Sequence, residues 1–466
     1  MSYPNISYHQ QPKHGIPSSD TRYPIPDTMV ALNEGSVQLE HTIEIQKIIT
    51  GGNGLGRLAD GMVVMTPFVL AGELVRVAEI QRFSGHVQAK TLDIVHPSPM
   101  RQVPICPMYT ICGGCALQHT PYPNQLAIKK EILVETLNRS HVLPEADIPT
   151  PLPSPAPEGY RYKIRLHIAK NGKTGFHRMQ SHQLVEIKHC PLAAPALNTT
   201  LLNLHNSGLP EELAPFCRQV ELACSPADDT VVATAYLSSA RQPPKVLQQK
   251  ILDQAGLSGL AFKSRKKTKF FPKPIGLHQQ FSAGDKSYTL SWDSRCFFQV
   301  NPEQNSQLVE LVRTAAGPVA GKKILDLFCG MGNFSIPLAC AGAEVTGIEL
   351  NKFAIHAARA NSDNAAIKSI DFIAADVGRH LQRLVHKKIR FDIVVLDPPR
   401  QGIGRATQLL PRLQPEKILY ISCDPATLSR DLGVLTREGY DLKSVTPVDM
   451  FPHTHHIECL AVLEKN

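Results

Sequence analysis

The stretch Tyr420-Ile-Ser-Cys-Asp-Pro-Ala-Thr-Leu-Ser-Arg430 decides the fold. An apolar run from Ile418 to Ile421 breaks off at Cys423 and the turn-forming pair Asp424-Pro425, and a short β-rich run ended in that way reads as a buried strand. Cys423 then stands at the strand's carboxyl end. In open α/β sheets ligands bind at that edge, so the thiol is placed to act on a docked molecule. The competing reading is a packed core cysteine, because free Cys is among the most buried residue types. Working outward, Lys323 to Leu327, Glu344 to Ile348, Phe372 to Ala374, Asp392 to Leu396 and Lys417 to Ile421 read as strands separated by helix-length segments. From about Gln307 this alternation predicts a doubly wound parallel sheet. A last hairpin, near Leu442 to Val445 and Cys459 to Val462, would add antiparallel edge strands.

The strand ends carry a consistent set of groups. Asp326-Leu-Phe-Cys-Gly330-Met-Gly332-Asn333 joins the first strand to its helix but lacks the third glycine of a dinucleotide fingerprint, so it suits a nucleoside lying against a turn better than a pyrophosphate cradle. Glu349 ends the second strand, where an acid holds ribose hydroxyls. Asp376 follows the third strand and Asp397-Pro-Pro-Arg400 the fourth. That order fits an S-adenosylmethionine site better than a nicotinamide one. With such a site upstream, and with Glu458 in a dense polar cluster near the C-terminus, the nucleophile reading of Cys423 is the stronger one.

Outside this region the chain changes character. Residues 1–37 are polar and aperiodic, the pattern of a flexible tail. Between Val37 and Ile94 five short strands with glycine turns suggest a small β-barrel, the oligonucleotide-binding type being one candidate. Cys106, Cys112 and Cys115 follow, the last two separated by Gly113-Gly114, with Cys190 in His189-Cys-Pro191 as a fourth member. Four thiolates suit tetrahedral zinc or an iron-sulfur cluster, and this spacing leans to the cluster. Arg161, Lys163 and Arg165 alternate on one strand face, and Lys263, Arg265, Lys266, Lys267 and Lys269 form the densest basic run. Both are candidate phosphate contacts, with solvated surface as the alternative. The net charge of +8 suits a polyanionic partner. Eleven cysteines without a scattered disulfide framework, no secretion signal and no long apolar run lead to an expectation of the cytoplasm, with no membrane partner.

Taken jointly, Cys106…Cys112-Gly-Gly-Cys115, Tyr160-Arg161, Cys190-Pro191, Phe298-Gln299-Val300-Asn301, Asp326 to Asn333, Asp397-Pro-Pro-Arg400, Ser422-Cys423 and Phe451-Pro-His-Thr-His-His-Ile-Glu458 resemble the RNA (uracil-5-)-methyltransferase family. The likeness is to its iron-sulfur branch, which acts on large-subunit ribosomal RNA. The resemblance implies an α/β, Rossmann-like S-adenosylmethionine-dependent methyltransferase domain at 306–466, an OB-like TRAM domain that binds RNA at 38–97, and a central α+β domain at 98–305. In that central domain Cys106, Cys112, Cys115 and Cys190 would hold a 4Fe-4S cluster. It further implies Gln299, Phe328, Asn333, Glu349, Asp376 and Asp397 as cofactor contacts, Cys423 as nucleophile and Glu458 as proton acceptor. The expected partner is RNA, 23S ribosomal RNA before transfer RNA, and not DNA, with the chain a monomer. Asp424 stands where the family usually carries Asn.

The chemistry independently asks for these groups. Carbon 5 of uracil is too weak a nucleophile to take a methyl group until a thiolate adds at carbon 6, and a base must then remove the carbon 5 proton. An exocyclic-amine methyltransferase would share the sheet and the acidic Pro-Pro turn, yet would have Arg400 where an aromatic stacks the base and no task for Cys423. A non-catalytic RNA-binding protein is the third reading.

Overall fold

The computed structural model describes residues 39–265, 267–283 and 286–466; the tail expected over residues 1–37 lies outside them, as does Lys266. These residues fall into two compact units, 39–47 with 54–98 and 48–53 with 99–466. Strands β1 (Glu40–Ile48), β2 (Asn53–Arg57), β3 (Val63–Pro67), β4 (Leu74–Arg82) and β5 (His86–His96) close a barrel in the order β1-β2-β3-β5-β4. β3 and β5 run parallel, and β4 is antiparallel to β1 and β5. This is a five-stranded OB-like closure. Ile43 and Ile45 point inward between exposed Thr42, Glu44 and Gln46, the period of two that a half-buried strand demands. Gly56 has no substitute here, since a Cβ on it would meet the Glu44 carbonyl oxygen at 2.6 Å.

The larger unit begins with helix α1 (Tyr122–Arg139). Strands β6 (Lys163–Ile168), β7 (Thr174–His177), β8 (Leu184–Glu186), β9 (Cys217–Cys224), β10 (Val231–Leu237), β11 (Gly259–Lys263) and β12 (Thr268–Phe271) form one sheet, ordered β12-β11-β10-β9-β6-β7-β8. Helices α2 (Pro195–Asn206), α3 (Leu209–Leu213) and α4 (Lys245–Ala255) supply the apolar side chains that cover it, Leu197, Leu201 and Ile251 among them. The hairpin β13 (Leu277–Ala283) with β14 (Lys286–Trp292) then leads to α5 (Pro302–Ala316).

The second sheet comprises β15 (Lys323–Leu327), β16 (Glu344–Glu349), β17 (Ile370–Ala374), β18 (Ile393–Leu396), β19 (Lys417–Ser422), β20 (Tyr440–Val448) and β21 (Glu458–Lys465). Its order is β17-β16-β15-β18-β19-β21-β20, and α6 (Ser335–Cys340), α7 (Lys352–Asn364), α8 (Val377–His386) and α9 (Pro425–Arg437) connect the strands. On β18, Ile393 and Val395 enter one apolar core while Val394 and Leu396 enter another. Burial on both faces explains the unbroken apolar runs of the sequence. Truncating such a Leu or Ile to Ala costs about 2–5 kcal/mol. The closing hairpin adds antiparallel strands at one end of the sheet, as expected, with β20 at the edge. The crossover from β19 through α9 leaves a gap before β20, and antiparallel β21 fills it, pairing with both neighbours.

Candidate active site

Strand order reverses between β15 and β18, and the crevice at the carboxyl edge of such a switch point is where doubly wound sheets bind ligands. Asp326 lies in β15 and Phe328 just beyond it, Glu349 ends β16, and Asp397 and Cys423 directly follow β18 and β19. Glu458 begins β21, whose antiparallel direction brings its first residue to the same edge. The last rung of the β19–β21 ladder joins Ser422 to Cys459. Cys423 follows that pair in the turn after β19 and Glu458 precedes it at the start of β21, so the two flank the same end of the ladder, near enough for the Glu458 charge to act on the thiol.

The electrostatics of this corner are those of a crowded, poorly hydrated acid cluster. Burial, then the charges of Glu458 and Asp397, push the Cys423 thiol up to about 11, against the opposing pull of Arg400. Burial raises Asp397 to about 7. Glu458 is only 2% exposed, and burial, with Asp397 nearby, holds its carboxyl well above the usual range while Arg400 works the other way. Among the described residues its Oε1 has no hydrogen-bond partner, an unmet acceptor that favours the protonated form. Two buried carboxyls this close share protons as a pair. Arg400 Nη2 donates to His456 Nε2 at 3.3 Å, and burial takes His456 down to about 3, so the ring stays neutral. Asp424 caps α9, accepting from the Thr427 amide at 2.7 Å, and thereby fixes the turn that carries Cys423.

Along the crevice, Phe328 adopts φ of 63°, a left-handed conformation costing on the order of 1–3 kcal/mol outside glycine, and its amide donates to the Ile348 carbonyl at 2.8 Å. Glu349 Oε1 accepts from the Asn351 amide at 2.7 Å. Asn333 exchanges two 3.0 Å amide hydrogen bonds with buried Asn305. Gln299 is half-buried in the segment before α5. Asp376 is exposed and caps α8 through the Arg379 amide at 2.9 Å. Sequence reasoning passed over Asp326. It is fully buried, accepts from Ser335 Oγ at 2.5 Å, has no partner for Oδ1 among the described residues, and is raised by burial to about 7. Its membership in the strand-to-helix motif was the available signal.

A group of four cysteines lies on another part of the larger unit. Cys106, Cys112, Cys115 and Cys190 line one cavity of about 540 Å³, with Arg161, Lys163 and Arg165 in the same wall. Gln118 ties two of the cysteines together, receiving the Cys106 amide at 3.1 Å and donating to Cys115 Sγ at 3.2 Å. Asn198 of α2 holds the backbone of Cys190 through both its N–H and its C=O. Burial raises Cys112 to about 11 and Cys115 to about 12, and Arg161 opposes both shifts. Among the described residues no three His, Cys, Asp or Glu side chains are placed to hold a single metal ion.

The expected phosphate face at Arg161, Lys163 and Arg165 is redirected. β6 starts only at Lys163. Arg161 Nε donates to Tyr160 Oη at 3.3 Å, Lys163 packs on Phe297 and Phe298 at 4.9 and 4.7 Å, and Arg165 pairs with Glu221 at 2.7 Å. Lys263, Arg265, Lys267 and Lys269 are exposed around the β11–β12 turn. No helix among the described residues is long and apolar enough to cross a membrane.

Comparison with known proteins gives this geometry a context. An RNA methyltransferase of Thermosynechococcus vestitus without an assigned substrate is 32% identical over 450 residues, covering 90% of this chain and 97% of that protein. The 23S rRNA (uracil(1939)-C(5))-methyltransferase of Pseudomonas savastanoi is 32% identical over 441 residues, covering 91% and 93%. Among solved structures, the Pyrococcus abyssi tRNA (uracil-54, C5)-methyltransferase with bound S-adenosyl-L-homocysteine matches with a TM-score of 0.70, 26% identity, and coverage of 91% and 99%. The sequence model of the tRNA (uracil-5-)-methyltransferase family matches residues 121–466, and the chain belongs to that family.

Proposed function

We propose that the chain methylates carbon 5 of a uridine in 23S ribosomal RNA, with Cys423 as nucleophile and Glu458 as base. The convergence of Glu458 and Asp397 on Cys423, close enough for their charges to raise the thiol, just past the Ser422–Cys459 pair of β19 and β21, is the observation that carries this reading. At neutral pH Cys423 is a thiol, so its proton must leave as Sγ bonds to carbon 6 of the ring. In the reacting form both carboxyls are ionised and offset by Arg400: Asp397 takes the thiol proton and returns it to Sγ when the thiolate leaves, so Glu458 stays free to accept at carbon 5. The ring becomes an enolate nucleophilic at carbon 5. S-adenosylmethionine supplies the methyl group, and Gln299, Phe328, Asn333, Glu349, Asp376 and Asp397 would hold it in the crevice. Glu458 then removes the carbon 5 proton, the ring double bond re-forms, and Sγ leaves carbon 6. A target base within RNA structure must be flipped out to reach this edge.

The family resemblance, together with four cysteines lining one cavity, supports a 4Fe-4S cluster held by Cys106, Cys112, Cys115 and Cys190. Ligation would remove the thiol protons that burial retains. No step above requires electron transfer, so these cysteines act in folding residues 98–305 beside the transferase segment 306–466. The OB-like barrel over 38–97 serves as a further RNA contact, in a protein working as a cytoplasmic monomer. The ribosomal target follows the relatives' names; transfer RNA, the substrate named for the Pyrococcus protein, is the second reading. Mapping 5-methyluridine in both RNA classes from cells lacking the gene tests this. Loss confined to one 23S position supports the proposal, and loss confined to transfer RNA selects the alternative.

A further inference from the structure

The nine residues 449–457 between β20 and β21 carry Glu458 to the site, and their backbone is tied down from outside at several points. Lys129 of α1 is fully buried, as is Asp449, and its Nζ donates both to Asp449 Oδ1 at 2.5 Å and to the Phe451 carbonyl at 3.0 Å. Gln125, one helical turn earlier on the same face, accepts from the His453 amide at 2.9 Å, and its Nε2 donates to His453 Nδ1 at 3.2 Å. Tyr160 Oη donates to the Pro452 carbonyl at 3.0 Å. The amides of Ala116 and Leu117 both donate to the His453 carbonyl at 3.0 Å. His453 itself sits at φ of 64°, a conformation that persists only where its surroundings impose it.

A buried Lys–Asp pair is weak evidence of stabilisation, because desolvation offsets most of its attraction and a hydrophobic replacement of similar volume is often as stable. What an apolar pair cannot do is reach the Phe451 carbonyl and fix where the segment turns. Glu458 opens β21, paired there with Val448 of β20, and among the described residues its Oε1 has no hydrogen bond. Its placement beside Cys423 therefore rests on the backbone that leads into it, of which residues 449–457 are the part tied to α1. We infer that Lys129 and Gln125 of α1 are positioning residues for Glu458, holding residues 449–457 so that the carboxylate meets the carbon 5 proton. The inference rests on the proposed role of Glu458 as base.

The step at which damage shows separates positioning from plain folding. Misplacing the base leaves attack by Cys423 and methyl transfer intact but delays elimination, so methylated RNA stays attached to the protein. Lys129→Met alone strands the Asp449 charge and can prevent folding; the double variant Lys129→Met/Asp449→Leu removes the whole pair, and Gln125→Met loosens the other tie. Each is compared with the parent and with Glu458→Gln in single-turnover reactions with labelled S-adenosylmethionine and RNA, reading methyl bound covalently to protein against methyl in free RNA. The double variant and Gln125→Met should each hold at least tenfold more protein-bound methyl than the parent, while their first methyl transfer stays within threefold of it. Release at the parental rate, or transfer and release reduced alike, overturns the inference. If Glu458→Gln itself retains no methylated adduct, the assignment of the base fails and the positioning role falls with it; if Glu458→Gln retains it and the α1 variants do not, only the positioning role fails.

Discussion

Two groups of cysteines in one compact unit are treated in opposite ways. At the sheet edge a single thiol, Cys423, faces carboxyls, Glu458 and Asp397, with Arg400 as the opposing charge. In the cavity, thiols face one another beside Arg161. Burial raises Cys423 and the cavity cysteines Cys112 and Cys115 alike, so a raised thiol alone identifies neither role. The neighbours do. Carboxyls can take and return a proton, as a reacting thiol requires, whereas several sulfurs around a common space with a cation beside them suit permanent ligation.

Substitutions at the two places should therefore fail differently. Cys423→Ala removes the attack on carbon 6 and should abolish methyl transfer to below detection, with RNA and cofactor affinities unchanged; retained methylation would break the comparison at its strongest point. Glu458→Gln should lower turnover by about 10²–10⁴-fold, the range of a lost general base, as measured by steady-state release of methylated RNA. Cys115→Ser should instead act on folding. Protein purified without oxygen should lose its brown colour and labile sulfide, and its thermal midpoint should fall by more than the about 2–4 °C that 1 kcal/mol moves a domain of this class.

Acidity gives a finer contrast. The carboxyl pair accepts protons only when ionised, and Asp397 titrates near about 7, so turnover should rise with pH through about 7 in a pH–rate profile. Asp326 titrates there too, and its effect is on stability. Its folded value of about 7 lies above the ordinary one, so its contribution is fully present below about pH 4 and is lost as pH rises through about 7. Asp326→Asn should flatten that part of a melting-temperature profile. The smallest effect belongs to the cavity rim. Arg165 is half-exposed in its pair with Glu221, so Arg165→Gln should change stability by under about 1 kcal/mol, as read by denaturant unfolding.

The sheet was legible because burial on both faces leaves unbroken apolar runs, and the meeting of Asp397, Cys423 and Glu458 at one edge was legible because each stands at or just past an end of its strand. The position of β21 was not legible, since no local pattern says whether a late strand lies at an edge or fills a crossover gap. Lys129 is the clearest loss: a lysine in a helix reads as solvated, and only tertiary contact shows it buried against Asp449. Arg161 was read as the start of a charged strand face, but the strand begins two residues later and the guanidinium turns to Tyr160 and the cysteine cavity.

The central claim is that Cys423 and Glu458 act on opposite steps at one uracil ring. Peptide mapping of the Glu458→Gln protein after reaction with RNA and labelled S-adenosylmethionine tests it most directly. A methylated nucleotide attached to the peptide bearing Cys423 is the expected result. Free 5-methyluridine formed at the parental rate with no adduct, or an adduct on any other residue, would contradict it.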